Sequence, residues 1–260
     1  ENKEDLNDLS DLVLGNENII IGKGSNVAFS DKTFKGNVIN PNFTKIEKLN
    51  ESEIKVGSSV FLPDLSRYYK ANSYSNGEFL IGIPGTVGGA VKMNAGAYDW
   101  EFSDLVKNVE CYDLETSNII NLNKEKLNFS YRSSENLDNK IILSATLIIE
   151  KGDLNKINAN LSNFNQIRKK SQPPAIYNAG SVFKNNKDYA AGKLIDEAGL
   201  KGYEIDGVSV SEKHANFFIA KKGAKALSLY KLVQHVKEQI DNKFSIKLEE
   251  EIIFIGEFDL

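Results

Sequence analysis

Residues 83–98, IPGTVGGAVKMNAGAY, hold four glycines, one proline and three alanines, with Lys92 the single charge. This run carries neither the period of an amphipathic helix nor that of a strand. It must be either a slack loop or a backbone held tightly against something, since glycine admits positive φ and close approach. A second glycine-rich turn, GKGSN at 22–26, follows the apolar run NIII. Consecutive N–H groups in such turns can form an anion-binding concavity. Neither turn matches G-x-G-x-x-G ahead of a helix or G-x-x-x-x-G-K-[ST], which rules against Rossmann and P-loop readings. Each turn alone is accounted for by tight-turn geometry; the two together suggest a nucleotide-type ligand. Both alternatives stay open from the residues alone.

Around these turns the chain reads as mixed strand and helix. In EDLNDLSDLV, Leu6, Leu9 and Val13 recur at helical spacing. GNVIN, EIKVGSSV, VKNVECYDL and IILSATLIIE are strand candidates, and PDLSRYYKANSY reads as a helix opened by proline. After Lys151 and Gly152, Asp153 caps an expected helix with Leu154, Ile157, Leu161 and Phe164 on one face. Two further helices are expected in YAAGKLIDEAG and ALSLYKLVQHVKEQI, and a strand across EEEIIFIGEF. The absence of a regular β–α alternation predicts an α+β layout, with domains at 1–150 and 151–260.

A chain of 260 residues buries roughly 70–75% of its unfolded surface, enough for a sizeable core. The net charge of −4 disfavours a nucleic-acid surface. Cys111, the one cysteine, has no disulfide partner within the chain and reads as a small buried strand residue, which predicts a cytoplasmic protein. No apolar run approaches the ~20 residues of a membrane span.

Four further clusters carry possible chemistry. Ser181, in QPPAIYNAGSVFKN, lies outside any G-x-S-x-G elbow and has no neighbouring histidine, so a hydrolase triad is unsupported. It is either a turn residue or a proton donor whose alkoxide a nearby cation stabilises. Arg132, in FSYRSS, can pair bidentately with a carboxylate or phosphate, the alternative being a surface ion pair. Among Glu249, Glu250 and Glu251, an acid drawn into an apolar site could act as a proton donor, but alternation does not choose which, and a solvated acidic run is the alternative. His235 reads as an exposed helical residue and His214 as structural rather than a metal ligand.

In order along the chain, GKGSN, GIPGTVGGAVKMNAGAY, YRSS, NAGSVFKN, AGKLIDEAGLKG, VSEKHANFFI and LEEEIIFIG resemble the UDP-N-acetylenolpyruvoylglucosamine reductases, in their shorter second type. The resemblance implies an FAD domain of the vanillyl-alcohol-oxidase-like (PCMH) type in two subdomains over 1–150. A substrate domain follows over 151–260, its last strand contributing to the active site. It implies a monomer that uses NADPH to reduce a UDP-sugar enolpyruvate for peptidoglycan synthesis. Ser181, Arg132 and Glu251 take the catalytic positions, and Tyr131, Lys184 and Asn185 the substrate-binding ones. Gly22, Gly24, Ser25, Asn26, Ile83, Pro84, Gly85, Thr86, Gly88, Gly89, Asn94, Ala95, Gly96 and Ala97 would line the FAD, with no metal.

Three departures stand out. The chain opens at Glu1, so the family's first strand and TFxVGG-like turn are expected to be missing. Glu250 replaces the proline usual before the catalytic acid, and Asp99 the glycine usual after the tyrosine. The competing expectations are another FAD-dependent oxidoreductase on the same scaffold, and a catalytically impaired fragment that binds flavin or UDP-sugar.

Overall fold

The computed structural model describes Leu6, Leu9, Val13 and residues 15–259 apart from 175. Leu6, Leu9 and Val13 are helical, and Leu6 and Val13 are buried; the rest of the expected N-terminal helix lies outside the described residues. The chain divides into two compact units, one of residues 1–23 and 35–167, the other of 24–34 and 168–260.

The first unit is built on a five-stranded antiparallel sheet ordered Ile46–Lys48, Glu53–Gly57, Lys140–Ile148, Val106–Asp113, Asn118–Asn123. The run IILSATL in the central strand is buried at every residue, as a strand covered on both faces requires. Ile142, Ala145 and Leu147 join the main core with Ile54, Val56, Leu65, Phe79, Val91 and Phe102, while Ile141 and Leu143 pack with Leu6 and Tyr112. Each fully buried side chain of this size contributes roughly 1.5–3 kcal/mol. Cys111 sits in the Val106–Asp113 strand, buried and free.

The helix Leu62–Ala71 opens with Pro63 and turns Leu62, Leu65 and Tyr69 inward. The helix Leu154–Ser171 starts as expected, with Asp153 Oδ1 accepting the N–H of Asn155 at 2.8 Å. Its Ile157 and Leu161 are buried, and Phe164 stacks on Tyr98 with ring centroids 4.2 Å apart. Those contacts draw most of the helix into the first unit, so the division falls after Ile167 rather than after residue 150.

The second unit packs the helices Ala191–Glu197 and Ala226–Phe244 with an antiparallel sheet of Glu204–Ile205, Val208–Val210 and Phe218–Ala220. Leu232, Val233, Val236 and Ile240 meet Val182, Phe183 and Ile195 in its core. His235 stacks on Tyr203 at 4.4 Å rather than standing exposed. The expected strand at 249–258 is reduced to Ile253–Ile255, because Glu250 forms only an isolated bridge to Phe183.

Ile253–Ile255 pairs in parallel with Val27–Phe29, which places the segment 24–34 in this unit. Asp31 then caps the helix Ala226–Phe244: its carboxylate accepts the N–H groups of Ala226 and Leu227 at 3.2 and 3.0 Å. The local N-cap, Lys225, offers no side-chain bond. Both units mix helix and sheet, an α+β chain.

Candidate functional site

The glycine segment of the first unit is neither slack nor wholly a loop. Thr86 caps a short helix, Val87–Met93, with Gly88 and Gly89 in its first turn and Asn94 closing it at φ 42°. The two glycines hide this helix from propensity, since each costs about 1 kcal/mol relative to alanine. Val87 and Gly88 donate their N–H groups to Val60 O at 3.0 Å and Ser58 O at 2.8 Å, and Ala90 to Thr86 O at 2.8 Å. These donors serve the fold rather than an anion.

Several glycines are small because of protein neighbours. A Cβ on Gly88 would lie 3.1 Å from Ser58 Cβ, and one on Gly96 2.5 Å from Trp100 O. A Cβ on Gly22 would lie 2.5 Å from Thr86 Oγ1, so the two glycine-rich turns touch each other. At Gly22, Gly88 and Gly96 the protein's own packing is enough to require a residue without Cβ. At Gly89 the situation differs, since a Cβ there would meet Thr86 Oγ1 alone, at 3.8 Å. Ser58 Oγ, beside Gly88, is buried without a hydrogen-bond partner. The orphaned Ser58 hydroxyl and, separately, the open face of Gly89 are the two features here that fit a polar cofactor.

Ile83 N–H bonds to Leu80 O, Pro84 follows, and Gly85 O accepts from Leu62 N–H at 3.0 Å. Asn94 is fully buried and used on three sides: Oδ1 accepts from Ser103 N–H at 3.0 Å, and Nδ2 donates to Glu101 at 2.8 Å and Ser130 O at 2.9 Å. Its side chain is therefore a structural clamp. Ala95 N–H bonds to Ala90 O, and Gly96 and Ala97 pair with Glu101 and Trp100 in a hairpin. Tyr98 and Asp99 make its two-residue turn, both at positive φ, 57° and 64°, the type I′ pattern that favours glycine second.

Asn94 also steadies Arg132. Ser130 and Ser133 exchange backbone bonds of 3.0 and 3.1 Å, with Tyr131 and Arg132 at the tip of the turn. Arg132 takes φ 54°, donates Nη2 to Gly96 O at 3.2 Å and lies over the Tyr131 ring at 4.7 Å. The structure thus gathers the glycine segment, Gly22, Tyr131 and Arg132 in one unit.

Gly24, Ser25 and Asn26 belong to the second unit with Ser181, Lys184, Asn185 and Glu251. Ser181 bridges Phe217, and Phe183 bridges Glu250. Glu251 donates its N–H to Val182 O at 2.8 Å, while Asn26 Nδ2 donates to Glu251 O at 2.8 Å. Ser181, Glu251 and Asn26 are therefore carried on neighbouring backbone segments. Glu249 is ion-paired with Lys184, and Glu250 with Lys237 at 2.7 Å. Asn185 Oδ1 accepts the N–H of Ala191 at 2.9 Å, fastening the start of that helix.

His214 is half-buried, and burial pulls its imidazole below the ordinary histidine pKa. Its Nδ1 accepts the N–H of Asn216 at 3.3 Å. Asn216 escaped the sequence reading, although an asparagine inside KHANFF was a visible signal, since a buried amide demands partners. Among the described residues no group of three metal-ligating side chains occurs, and no helix is long and apolar enough to cross a membrane.

Residues 172–255 match the family model of the UDP-N-acetylenolpyruvoylglucosamine reductase C-terminal domain, and residues 3–123 that of an FAD binding domain. A UDP-N-acetylenolpyruvoylglucosamine reductase of Clostridium perfringens (strain SM101 / Type A) is 38% identical over 240 residues, covering 91% of this chain and 78% of its own. One from Caldicellulosiruptor bescii is 40% identical over 244 residues, 93% of this chain and 77% of its own. The crystal structure of UDP-N-acetylenolpyruvylglucosamine reductase from Thermus caldophilus superposes with a TM-score of 0.85 at 29% identity, over 98% of this chain and 90% of that one. The architecture is a PCMH-type FAD-binding domain joined to an α+β domain, and the chain belongs to the UDP-N-acetylenolpyruvoylglucosamine reductase family.

Proposed function

We propose that this chain is an FAD-dependent oxidoreductase that uses NADPH to reduce UDP-N-acetylglucosamine enolpyruvate to UDP-N-acetylmuramate, a step of peptidoglycan precursor synthesis. The observation that carries this reading is family membership along both units rather than one. Gly22, Ser58 and residues 83–86, 88–89 and 94–97 of the first unit, with Gly24, Ser25 and Asn26 of the second, would hold the FAD. When bound there, FAD would supply the two-electron hydride chemistry between NADPH and the enolpyruvyl group.

The chain's own residues manage charge and proton. Hydride arriving at one alkene carbon builds negative charge on the carboxylate conjugated with it. Arg132, its guanidinium anchored on Gly96 O, pairs with that carboxylate as the charge grows. Ser181 gives its hydroxyl proton to the adjacent carbon, completing the saturated product. Glu251 takes the active-site role by its place in the motif: in its protonated form it donates a hydrogen bond to the substrate carboxylate and, with Arg132, stabilises the growing charge. Tyr131, Lys184 and Asn185 contact the UDP-sugar. The protein works in the cytoplasm, a reducing compartment that suits the free thiol of Cys111, and as a monomer.

The test is spectroscopic. Purified protein with FAD is expected to show a flavin band that NADPH bleaches and the enolpyruvyl substrate restores. Ser181→Ala should leave bleaching intact and slow restoration by about 10²–10⁴-fold. No flavin band, or a band that oxygen but not the substrate restores, overturns the reading; gel filtration checks the monomer.

A further inference from the structure

Asn216 is 2% exposed, in the segment leading into the strand Phe218–Ala220. A buried amide is costly unless its donors and acceptor are bonded. Its Oδ1 accepts the N–H of Phe183 at 2.9 Å and its Nδ2 donates to Phe183 O at 2.8 Å. Its main-chain O accepts the N–H of Val182 at 2.8 Å. One side-chain amide thus takes both polar groups of Phe183, as a neighbouring strand would. On the opposite edge, Lys184 N–H bonds to Glu249 O at 2.9 Å and Glu251 N–H to Val182 O at 2.8 Å. The pair Val182–Phe183 is held from two sides, and Ser181 and Lys184 flank it directly.

We propose that Asn216 is a positioning residue for the reaction: by bracketing the peptide groups of Val182 and Phe183 it fixes the backbone from which the Ser181 hydroxyl is presented. The proposal rests on Ser181 being the proton donor. Proton transfer needs a heavy-atom approach of about 2.6–3.2 Å, and a displacement near 1 Å costs on the order of 10²-fold. Both polar ends of Phe183 are held, so rotation of the peptides on either side is blocked. The bond from Asn216 N–H to His214 Nδ1 at 3.3 Å fixes the bracket in turn.

The experiment uses the full chain with FAD. Asn216→Asp is isosteric and keeps the acceptor for Phe183 N–H while losing the donor to Phe183 O; Asn216→Ala removes both. Each is expected to leave flavin reduction by NADPH within twofold and to slow reoxidation by the enolpyruvyl substrate, by about tenfold for Asp and 10²-fold for Ala. Ser181→Ala and Asn216→Ala combined should be no slower than Ser181→Ala alone, since residues acting through one another are not additive. Multiplied losses in the double variant overturn the proposal, as do equal losses in both half-reactions, unchanged reoxidation, or failure of both variants to fold, which would make Asn216 a scaffold residue. If Ser181→Ala alone reoxidises normally, the proton-donor reading itself fails, and the two failures are told apart.

Discussion

Gly88 and Gly89 are consecutive residues of one helical turn with opposite demands. Gly88→Ala gains about 1 kcal/mol of helix propensity but pushes Cβ to 3.1 Å from Ser58 Cβ and 3.3 Å from Ser58 O. A net loss of about 1–2 kcal/mol is expected in urea unfolding. Gly89→Ala meets only Thr86 Oγ1, at 3.8 Å, and should stabilise the FAD-free protein by about 0.5–1 kcal/mol. If Gly89 faces the cofactor, the same change weakens FAD binding, so a flavin titration separates the two demands. Asp99 holds a left-handed φ of 64°, and Asp99→Gly should fall within about 1 kcal/mol of the parent, relief of strain offsetting unfolded-state entropy. Burial pushes the Cys111 thiol up to about 12. It should resist a thiol reagent at pH 8 in the folded protein and react at once in denaturant.

His214 gives a pH signature. Burial lowers its pKa in the folded state, so between that value and about 6.5 the unfolded chain binds more protons. Stability therefore falls as pH drops through this window and is fully retained above it; His214→Gln should flatten that slope in urea midpoints measured from pH 7 to 5. Protonation would also remove the Nδ1 acceptor used by Asn216.

Elements differ in how openly the sequence announces them. The helix Leu62–Ala71 follows from its opening proline, Ala226–Phe244 from apolar spacing, and the Lys140–Ile148 strand from its apolar run. Val87–Met93 was illegible, since its first turn is chosen for close packing on Ser58 rather than for propensity. The cap on Ala226–Phe244 was equally hidden: Asp31 lies 195 residues upstream of Ala226, beyond any local pattern. Asp31→Ala should cost about 1 kcal/mol in thermal unfolding, and Asp31→Asn less than that. Of the candidate site, the motifs were readable, but Asn26 and Asn216 as backbone clamps were not. Their partners are fixed by tertiary pairing alone.

At the scale of the molecule, the two units do not follow chain order. The second takes residues 24–34 from inside the first, so a fragment of 168–260 lacks both the partner of Ile253–Ile255 and the Asp31 cap. It is expected to unfold at lower urea than the same fragment with 24–34 restored by a linker. Equal midpoints would mean that the segment adds nothing to the unit's stability. The two family models match separate stretches, 3–123 and 172–255, so a match to either alone would say less than the match to both.

The clamp between Asn26 and Glu251 spans 225 residues. At a synthesis rate of about 5–20 residues per second, roughly 10–45 s separate the emergence of the two partners from the ribosome. During that interval the segment 24–34 has no edge to join, and the second unit closes only once Ile253–Ile255 has emerged. The time needed to synthesise the intervening chain, rather than local propensity, sets the moment at which Asn26 meets Glu251.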